Sequence, residues 1–347
     1  MIVREDVALA PYTSLSVGGP ARFFIEAVSE QDILDAAAFA LEKHLPILPL
    51  GGGTNILVPD TGVESVVLLV RTSTFSYVPD IDNRTFLLVA EAGASWDALV
   101  DAAASMQLWG IENLAGIPGR AAGALVQNIG AYGVEFSSVF VYADVLDTAT
   151  GTVRRMHSSD ARLGYRTSFF KESVPQAGRG LVILRIALKL SRNGSPRLSY
   201  ADLVLAKATG ATLSTPGEIA HTVRTIRAAK FPTAGEGGTA GSFFKNPIVP
   251  EEHAQRLQVR FPGLPVYPEQ GNRMKLSLAW LFDHALGLKG YAEGPVRLYE
   301  SQPIVLVAAH GASAANIDAF ARHIERRVHE ALGIVIEREV ELFSVRR

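Results

Sequence analysis

The segment Leu50-Gly51-Gly52-Gly53-Thr54-Asn55 is the first of two glycine-rich loops on which the interpretation of this sequence depends. It directly follows Leu45–Leu50, a short apolar run with two prolines that is typical of a strand with irregular edges. A loop of this kind can direct several backbone N–H groups at an anion. It has neither the Gly-Lys-Ser/Thr ending of a Walker loop nor the helix pattern of the dinucleotide fingerprint. A tight turn that binds nothing is therefore the alternative.

The second loop is Ile117-Pro118-Gly119-Arg120-Ala121-Ala122-Gly123-Ala124, which leads into Gln127-Asn128-Ile129-Gly130-Ala131-Tyr132-Gly133. It has small residues at nearly every turn and amide side chains between them. This pattern is typical of backbone that lies close against a large flat ligand, and an irregular buried loop is the alternative. Two such loops in one mixed fold favour a phosphate-bearing cofactor.

Strands and helices alternate around these loops, so the predicted class is α+β in two or three subdomains. Strands are predicted at Arg22–Val28, Leu45–Leu50, Val63–Val70, Phe86–Ala90, Val139–Val145, Thr152–Met156, Leu184–Leu190, Pro303–Ala308 and Ile334–Val345. Helices are predicted after the caps Ser29, Ser95 and Thr215, at Pro250–Arg260 and Lys275–Leu286, and around Ile317–Val328. The glycine-rich stretch Ala234–Gly241 is the most hinge-like part of the chain.

Composition excludes several classes of protein. The 347 residues are 48% apolar and 20% charged, which predicts a globular chain with a large core, and the net charge of −2 argues against nucleic-acid or anionic-membrane partners. The absence of cysteine excludes disulfides, thiol nucleophiles and cysteine-bound metals. The eight histidines are scattered, so no metal site is predicted. No apolar run is long enough to span a membrane and the N-terminus turns acidic early, so we expect a cytoplasmic protein, by default a monomer.

Three further motifs carry groups that can do chemistry. Arg166 lies between aromatic residues in Gly164–Lys171, which suits bidentate capture of a carboxylate or phosphate, although a surface ion pair is commoner. Ser242 follows glycine in Ala240–Pro247 and could give a proton to a developing carbanion; a turn serine is the alternative. Alternation in the terminal strand puts Glu339 on an acidic face, which is either solvated or turned to a cation.

Taken together, these segments resemble the UDP-N-acetylenolpyruvoylglucosamine reductases, flavoenzymes of the second step of peptidoglycan precursor synthesis. Six pieces occur in the family's order: Leu50–Asn55, Glu112–Gly119, Gln127–Gly133, Gly164–Arg166, Ala240–Pro247 and Glu337–Val340. The resemblance implies the vanillyl-alcohol-oxidase-like (PCMH-type) FAD-binding fold with a third, α+β substrate-binding domain. It implies non-covalent FAD, NADPH as co-substrate and a UDP-sugar as substrate. The choice between NADPH and NADH stays open, because no separate nicotinamide fingerprint is visible.

The resemblance also implies domain bounds. Residues 1–67 would form FAD-binding subdomain 1. Residues 68–213 with 334–347 would form subdomain 2, to which the C-terminal strand returns, and residues 214–333 would bind the substrate. Tyr200 resembles the substrate-binding tyrosine of the longer subtype.

Site residues carry over from the resemblance. Ser242 resembles the general acid, Arg166 the group that polarises the substrate carboxylate, and Glu339 the carboxylate that completes the cluster. Cofactor contacts are implied at Gly51, Gly52, Gly53, Thr54, Asn55, Ile117, Pro118, Gly119, Gly123, Asn128, Gly130, Tyr132 and Gly133, and substrate contacts at Tyr200, Lys230, Asn246, Tyr267, Lys275 and Gln302. Thr167 stands where aspartate is common in the family, which puts one orienting partner of Arg166 in question.

The implied reaction is hydride transfer from reduced flavin N5 to C3 of the enolpyruvyl group, followed by protonation of C2 by Ser242. Two other functions stay open. A flavin oxidase of the same fold would be reduced by an alcohol and not by NADPH. A sugar-nucleotide sensor would have kept the loops and lost the chemistry, although it would not need Ser242, Arg166 and Glu339 together.

Overall fold

The computed structural model describes residues 1–81, 83–172, 180–233 and 235–344. Among these residues the α-helices are Glu30–Glu42 (α1), Trp96–Ser105 (α2), Ala121–Gln127 (α3), Phe169–Glu172 (α4), Ala201–Ala208 (α5), Pro216–Lys230 (α6), Glu251–Arg260 (α7), Leu278–Trp280 (α8) and Ala314–Leu332 (α9). The strands are Val3–Ala8 (β1), Pro20–Ala27 (β2), Ile47–Leu50 (β3), Ile56–Leu57 (β4), Val63–Val70 (β5), Phe75–Pro79 (β6), Thr85–Glu91 (β7), Gly130–Ala131 (β8), Val134–Glu135 (β9), Phe140–Asp147 (β10), Thr152–His157 (β11), Leu181–Ser191 (β12), Gly238–Ser242 (β13), Ile248–Pro250 (β14), Val266–Glu269 (β15), Arg273–Leu276 (β16), Ala292–Glu293 (β17), Val296–Leu298 (β18), Val305–Ala308 (β19) and Glu341–Leu342 (β20). Short 3-10 turns occupy Ala10–Tyr12, Glu112–Leu114 and Phe136–Ser138, and a π-helical turn occupies Leu281–Ala285.

The first sheet has the order β1-β2-β5-β3, with β2, β5 and β3 parallel. Helix α1 covers one face of it. Its start is fixed by the capping box that the sequence predicts, in which Ser29 and Asp32 each bond the other's backbone N–H. The two faces of β5 belong to different cores, because Val66 and Leu68 point one way and Val67 the other.

The second sheet is antiparallel, with the order β11-β10-β12-β7-β6. Its buried residues, such as Leu88 and Ile186, form one continuous core with Ile25 of the first sheet. Helices α2 and α3 contribute to the same core, and so does α6 through Ile219 and Val223. The first two sheets are therefore joined by packing, and α6 closes their shared core.

The third region has its own core. It contains the sheet β13-β19-β18-β17, the smaller sheet β14-β16-β15 and helices α7, α8 and α9. Phe243, Phe244 and Phe282 are fully buried there and meet edge to face. Helix α9 ends at Gly333, whose φ of +65° is the left-handed cap that glycine adopts easily.

The structure differs from the predicted domain bounds in two places. Helix α6 was assigned to the third domain, but it packs in the core of the first two sheets, so the cores divide after Lys230. The C-terminal strand was expected to return to subdomain 2. Instead β20 pairs in parallel with β4 of the first subdomain, while Ile336 and Val340 pack in the third core.

Three predicted elements are also corrected. Residues Lys275–Leu286 are not one helix: they comprise the end of β16, the single turn α8 and the π-helical turn. The hinge-like glycine stretch contains β13, and its first residue, Ala234, lies outside the described residues. The terminal strand is only two residues long, and its predicted end, Val345, is also outside them. No described helix is long and apolar enough to cross a membrane.

Candidate active site

A cavity of about 1080 Å³ lies where the two glycine-rich loops meet the third region. All three predicted catalytic residues and most predicted cofactor residues are on its wall. These are Arg166, Ser242, Glu339, Gly51, Gly52, Gly53, Thr54, Asn55, Ile117, Pro118, Gly119, Gly123 and Gly130. The fold thus brings two distant loops and three reactive groups to one site.

The two loops touch each other without room for side chains. A Cβ on Gly52 would lie 3.0 Å from the Cα of Gly119. Gly53 has a φ of +62°, and a Cβ there would lie 2.0 Å from the carbonyl oxygen of Tyr12. Thr54 Oγ1 donates to the carbonyl oxygen of Pro118 at 3.4 Å. Glycine is needed at Gly53 for both its conformation and its packing.

Main-chain pairing places Glu339 beside Ser242. The N–H of Glu339 donates to the carbonyl of Phe243 at 2.8 Å, and Asn55 Nδ2 donates to the carbonyl of Glu339 at 3.1 Å. Ser242 follows a bulge in β13, in which Gly241 has a φ of +73°. The first glycine loop, the proposed acid and the terminal segment are therefore held together by backbone contacts.

Arg166 lies at a tight turn and faces the same carboxylate. Its φ is +53°, and the turn closes through two backbone hydrogen bonds between Gly164 and Thr167, of 3.1 and 3.2 Å. Arg166 Nη2 donates to the carbonyl of Gly130 at 2.7 Å. Its Nε lies 2.9 Å from Glu339 Oε1, but without hydrogen-bond geometry, so this N–H has no hydrogen-bond partner within the described residues. The contact is an ion pair that leaves Arg166 hydrogen-bonding capacity unused.

Gln127 and Lys171 are not among the residues predicted individually for the site, although they lie in the motifs Gln127–Gly133 and Gly164–Lys171. Gln127 Nε2 donates to Glu339 Oε1 at 3.1 Å, and Lys171 Nζ donates to Gln127 Oε1 at 2.9 Å. Lys171 also forms an ion pair with Glu341 at 2.8 Å. Burial lowers the pKa of Lys171, and the bond to Glu341 opposes that shift. A connected polar network therefore lies next to the predicted catalytic residues.

Two family models match the chain: an FAD binding domain over residues 21–157, and the UDP-N-acetylenolpyruvoylglucosamine reductase C-terminal domain over residues 232–343. A Pseudomonas aeruginosa protein named UDP-N-acetylenolpyruvoylglucosamine reductase is 37% identical over 98% of this chain and 99% of its own length. This chain belongs to the UDP-N-acetylenolpyruvoylglucosamine reductase family. A Pasteurella multocida relative with the same name is 34% identical over 97% and 96% of the two chains.

The fold prediction is confirmed. The crystal structure of the reductase from Thermus caldophilus aligns with this chain over 98% of this chain and 99% of its own, with a TM-score of 0.67 and 24% identity. The two proteins therefore share a fold. As a member of the reductase family with an FAD binding domain, the chain is an FAD-dependent oxidoreductase.

The residues on the cavity wall suit the flavin of the reductase family. Gly51–Asn55 and Ile117–Gly119 present backbone at close approach, as a phosphate-bearing flat ligand requires. A Cβ on Gly123 would meet nothing within 4 Å, so it would enter the cavity itself. These two loops and α3 are the elements that would hold FAD.

Three predicted cofactor residues lie off the cavity wall. Asn128 ends α3 with a φ of +42°, and its amide donates to the carbonyl of Gly164 at 2.8 Å and accepts from the N–H of Ser137 at 2.9 Å. Tyr132 is buried, and Gly133 beside it has a φ of +82°. Burial raises the pKa of Tyr132 to about 12. Asn128 thus supports the turn that carries Arg166.

None of the six predicted substrate residues lines the cavity, but two of them, Asn246 and Lys275, lie against Tyr165. Asn246 N–H donates to Tyr165 Oη at 3.2 Å, and Lys275 Nζ lies 5.0 Å from the Tyr165 ring centre. Tyr267 is the strand partner of Lys275. Since Tyr165 directly precedes Arg166, these residues lie next to a predicted catalytic residue.

The other three lie further out. Tyr200 is half exposed, and its ring meets Tyr132 edge to face at 5.2 Å. Lys230 Nζ pairs with Asp202, two residues after Tyr200, at 2.6 Å. The carbonyl of Gln302 accepts from Val305, the strand partner of Ser242. Burial raises the pKa of Tyr200, and the neighbouring Asp202 and Tyr267 add to that shift, so Tyr200 lies between Lys230 and the residues near Tyr165.

Proposed function

We propose that this chain reduces the enolpyruvyl double bond of UDP-N-acetylglucosamine enolpyruvate, giving UDP-N-acetylmuramate, with NADPH as the electron donor. One observation carries the assignment of roles: Arg166, Glu339 and Ser242 share a cavity with two loops suited to a flavin. Bound FAD supplies the hydride-transfer chemistry.

Arg166 holds the substrate carboxylate. Reduction at C3 puts negative charge on C2 and on the carboxylate oxygens, and a guanidinium can bind that charge through parallel N–H groups. Glu339 orients Arg166 through the 2.9 Å ion pair, and the bond from Nη2 to Gly130 fixes the other end of the guanidinium. The charge that develops therefore meets an arginine already held in place.

Ser242 donates the proton that C2 requires. A serine hydroxyl is a weak acid, so the proton moves only as charge builds on C2. Main-chain pairing keeps Glu339 next to Ser242, and the bulge in β13 presents Ser242 at the cavity wall. The UDP-sugar would extend past Tyr165 to the predicted contacts at Asn246, Tyr267 and Lys275, with Tyr200, Lys230 and Gln302 closing around it.

Replacing Ser242 separates the two half-reactions. We expect anaerobic Ser242→Ala to be reduced by NADPH at the wild-type rate, because proton donation to C2 has no part in that step. Its reoxidation by the enolpyruvyl sugar nucleotide should slow by a factor on the order of 10²–10⁴. Stopped-flow absorbance of the flavin measures both steps.

The matched control is Ser65→Ala, since the Ser65 hydroxyl is buried in β5 of the first sheet and has no hydrogen-bond partner among the described residues. It should reoxidise like the wild type. Normal reoxidation of Ser242→Ala would reject the role of Ser242. Wild-type protein reduced by an alcohol and not by NADPH would instead favour the oxidase.

We also propose that the enzyme acts as a monomer in the cytoplasm. The three catalytic groups and both loops come from one chain, so no partner subunit is needed to complete the site. A sugar nucleotide and NADPH are substrates that a cytoplasmic enzyme can draw on directly. Sedimentation at micromolar concentration tests the oligomeric state.

A further inference from the structure

The ammonium group of Lys171 lies at the centre of the polar network beside the catalytic pair. Its side chain is 9% exposed, and its Nζ has three oxygen partners. These are Gln127 Oε1 at 2.9 Å, the carbonyl of Arg166 at 3.0 Å and Glu341 Oε1 at 2.8 Å. A lysine ammonium has three N–H donors and no acceptor, so the three partners match its capacity.

The first consequence concerns the backbone of Arg166. Its φ of +53° is a conformation that residues other than glycine rarely adopt. Lys171 binds the carbonyl of that same residue, and so it ties the turn to the start of α4. Thr167 has no carboxylate with which to brace Arg166. The Lys171 contact therefore acts together with the Gly164–Thr167 hydrogen bonds and Asn128 in holding this turn.

The second consequence concerns the amide of Gln127. A glutamine can present either its oxygen or its NH₂ group to a neighbour. Lys171 can only donate, so the oxygen of Gln127 must face Lys171, and the NH₂ group must face Glu339, at 3.1 Å. Glu339 Oε1 is thereby held by a donor on one side and by Arg166 on the other.

We propose that Lys171 is a positioning residue for the oxidative half-reaction, in which the substrate reoxidises the flavin, and that it fixes Arg166 through its carbonyl and Glu339 through the Gln127 amide. The inference rests on the proposed function, because it assigns these two groups to the reduction of the substrate. The cost of desolvating a lysine supports it, since burial is the cause that lowers the pKa of Lys171.

The test is Lys171→Met, which keeps much of the apolar stem and removes all three donors. Reduction by NADPH should stay within about twofold of wild type. Reoxidation at saturating enolpyruvyl sugar nucleotide should slow roughly 10- to 100-fold, because a small misplacement of positioning groups is costly. The half-saturating substrate concentration should change less than the maximal rate, because the predicted nucleotide contacts are untouched.

The control is Lys245→Met, whose ammonium binds Glu337 at 2.9 Å on the same terminal segment. This change removes a nearby positive charge without touching Gln127 or the turn of Arg166, so reoxidation should stay near wild type. An equal loss in Lys245→Met would mean that general positive potential matters, and would overturn the positioning role.

A double-mutant cycle tests the route through Gln127. Gln127→Met should also slow reoxidation, and the double variant with Lys171→Met should lose less than the product of the two losses, because both break one chain of contacts. If Lys171→Met does not retain FAD, Lys171→Gln takes its place in the cycle. Multiplicative losses, or equal slowing of both half-reactions, would refute the inference. Failure of the wild type to be reoxidised would instead refute the proposed function.

Discussion

Gly123 offers a direct test of where the flavin lies. It is the third residue of α3 and is on the cavity wall. A Cβ there would meet nothing within 4 Å, and its φ is not in the left-handed region. Gly123→Ala should therefore fit the protein alone without strain, while its methyl group points into the space that FAD would fill.

The two expected effects have opposite signs. Alanine is preferred to glycine inside a helix by up to about 1 kcal/mol, so the FAD-free protein should become more stable by roughly 0.5–1 kcal/mol. With about 2.1 cal/mol/K of unfolding entropy per residue, a chain of this length gains only about 1 °C in Tm. Forcing a methyl group against a packed ligand costs about 1–3 kcal/mol, which weakens FAD binding roughly 5- to 150-fold.

The assay pairs calorimetry of the FAD-free protein with titration of FAD, followed by flavin fluorescence. Gly53→Ala is the contrast, because a Cβ at that position would lie 2.0 Å from the Tyr12 carbonyl and φ is +62°. It should lower Tm even without FAD. FAD affinity within twofold of wild type for Gly123→Ala would show that the flavin does not lie against α3.

Two further variants test two ion pairs of the terminal segment, Arg166 with Glu339 and Asp318 with Arg338. Arg166→Lys loses the Nη2 hydrogen bond to Gly130 and the planar guanidinium fork. The rate of flavin reoxidation by the substrate, measured by stopped flow, should therefore fall about 10²–10³-fold, while reduction by NADPH is retained. An equal fall in both rates would contradict the assigned role. Burial alone would raise the pKa of Asp318, but the Arg338 guanidinium 2.6 Å away lowers that pKa below its ordinary value. At pH 7 the free energy of unfolding of the wild type should therefore exceed that of Asp318→Asn by at most about 1 kcal/mol. That difference should persist down to about pH 4 and disappear as pH falls through the lowered pKa, and urea unfolding at pH 7 and pH 3 checks it.

Local sequence signals predicted several elements of the chain. The strand Val63–Val70 has the predicted bounds, and the capping boxes at Ser29 and Thr215 are both complete. Each of these signals lies within a segment of at most eight residues. Such elements need no information from the rest of the fold.

The predicted helix at Lys275–Leu286 starts too early for a nonlocal reason, since the segment is helical only from Leu278 to Ala285. Its apolar residues Leu278, Leu281 and Phe282 are buried, as the helical spacing requires. The first two residues of the segment, Lys275 and Leu276, nevertheless belong to strand β16, which pairs with β14 and β15. Apolar side chains spaced at 3.6 residues per turn cannot by themselves exclude a strand that leads directly into a short helical segment.

The terminal segment shows the same limit at the site. Alternation correctly buries Ile336 and Val340 and exposes Glu337, but only two residues pair as a strand. Glu339 reaches the cavity because its N–H pairs with Phe243 and its carbonyl with Asn55, residues 96 and 284 positions away. The acidic face that the pattern indicated is thus divided: Glu337 faces solvent and Glu339 lines the cavity.

The sequence singled out Arg166, Ser242 and Glu339, which the structure brings to one cavity, because the chemistry of each is visible in the residue type and its motif. Gln127 and Lys171 could not be singled out in this way, since each acts through another residue: they lie 44 positions apart, and Gln127 lies 212 positions from Glu339. An amide and an amine have many roles, and only their contacts select one. If the Lys171 and Gln127 variants are coupled as expected, the residues that sequence reasoning missed are those that hold the reactive groups in place.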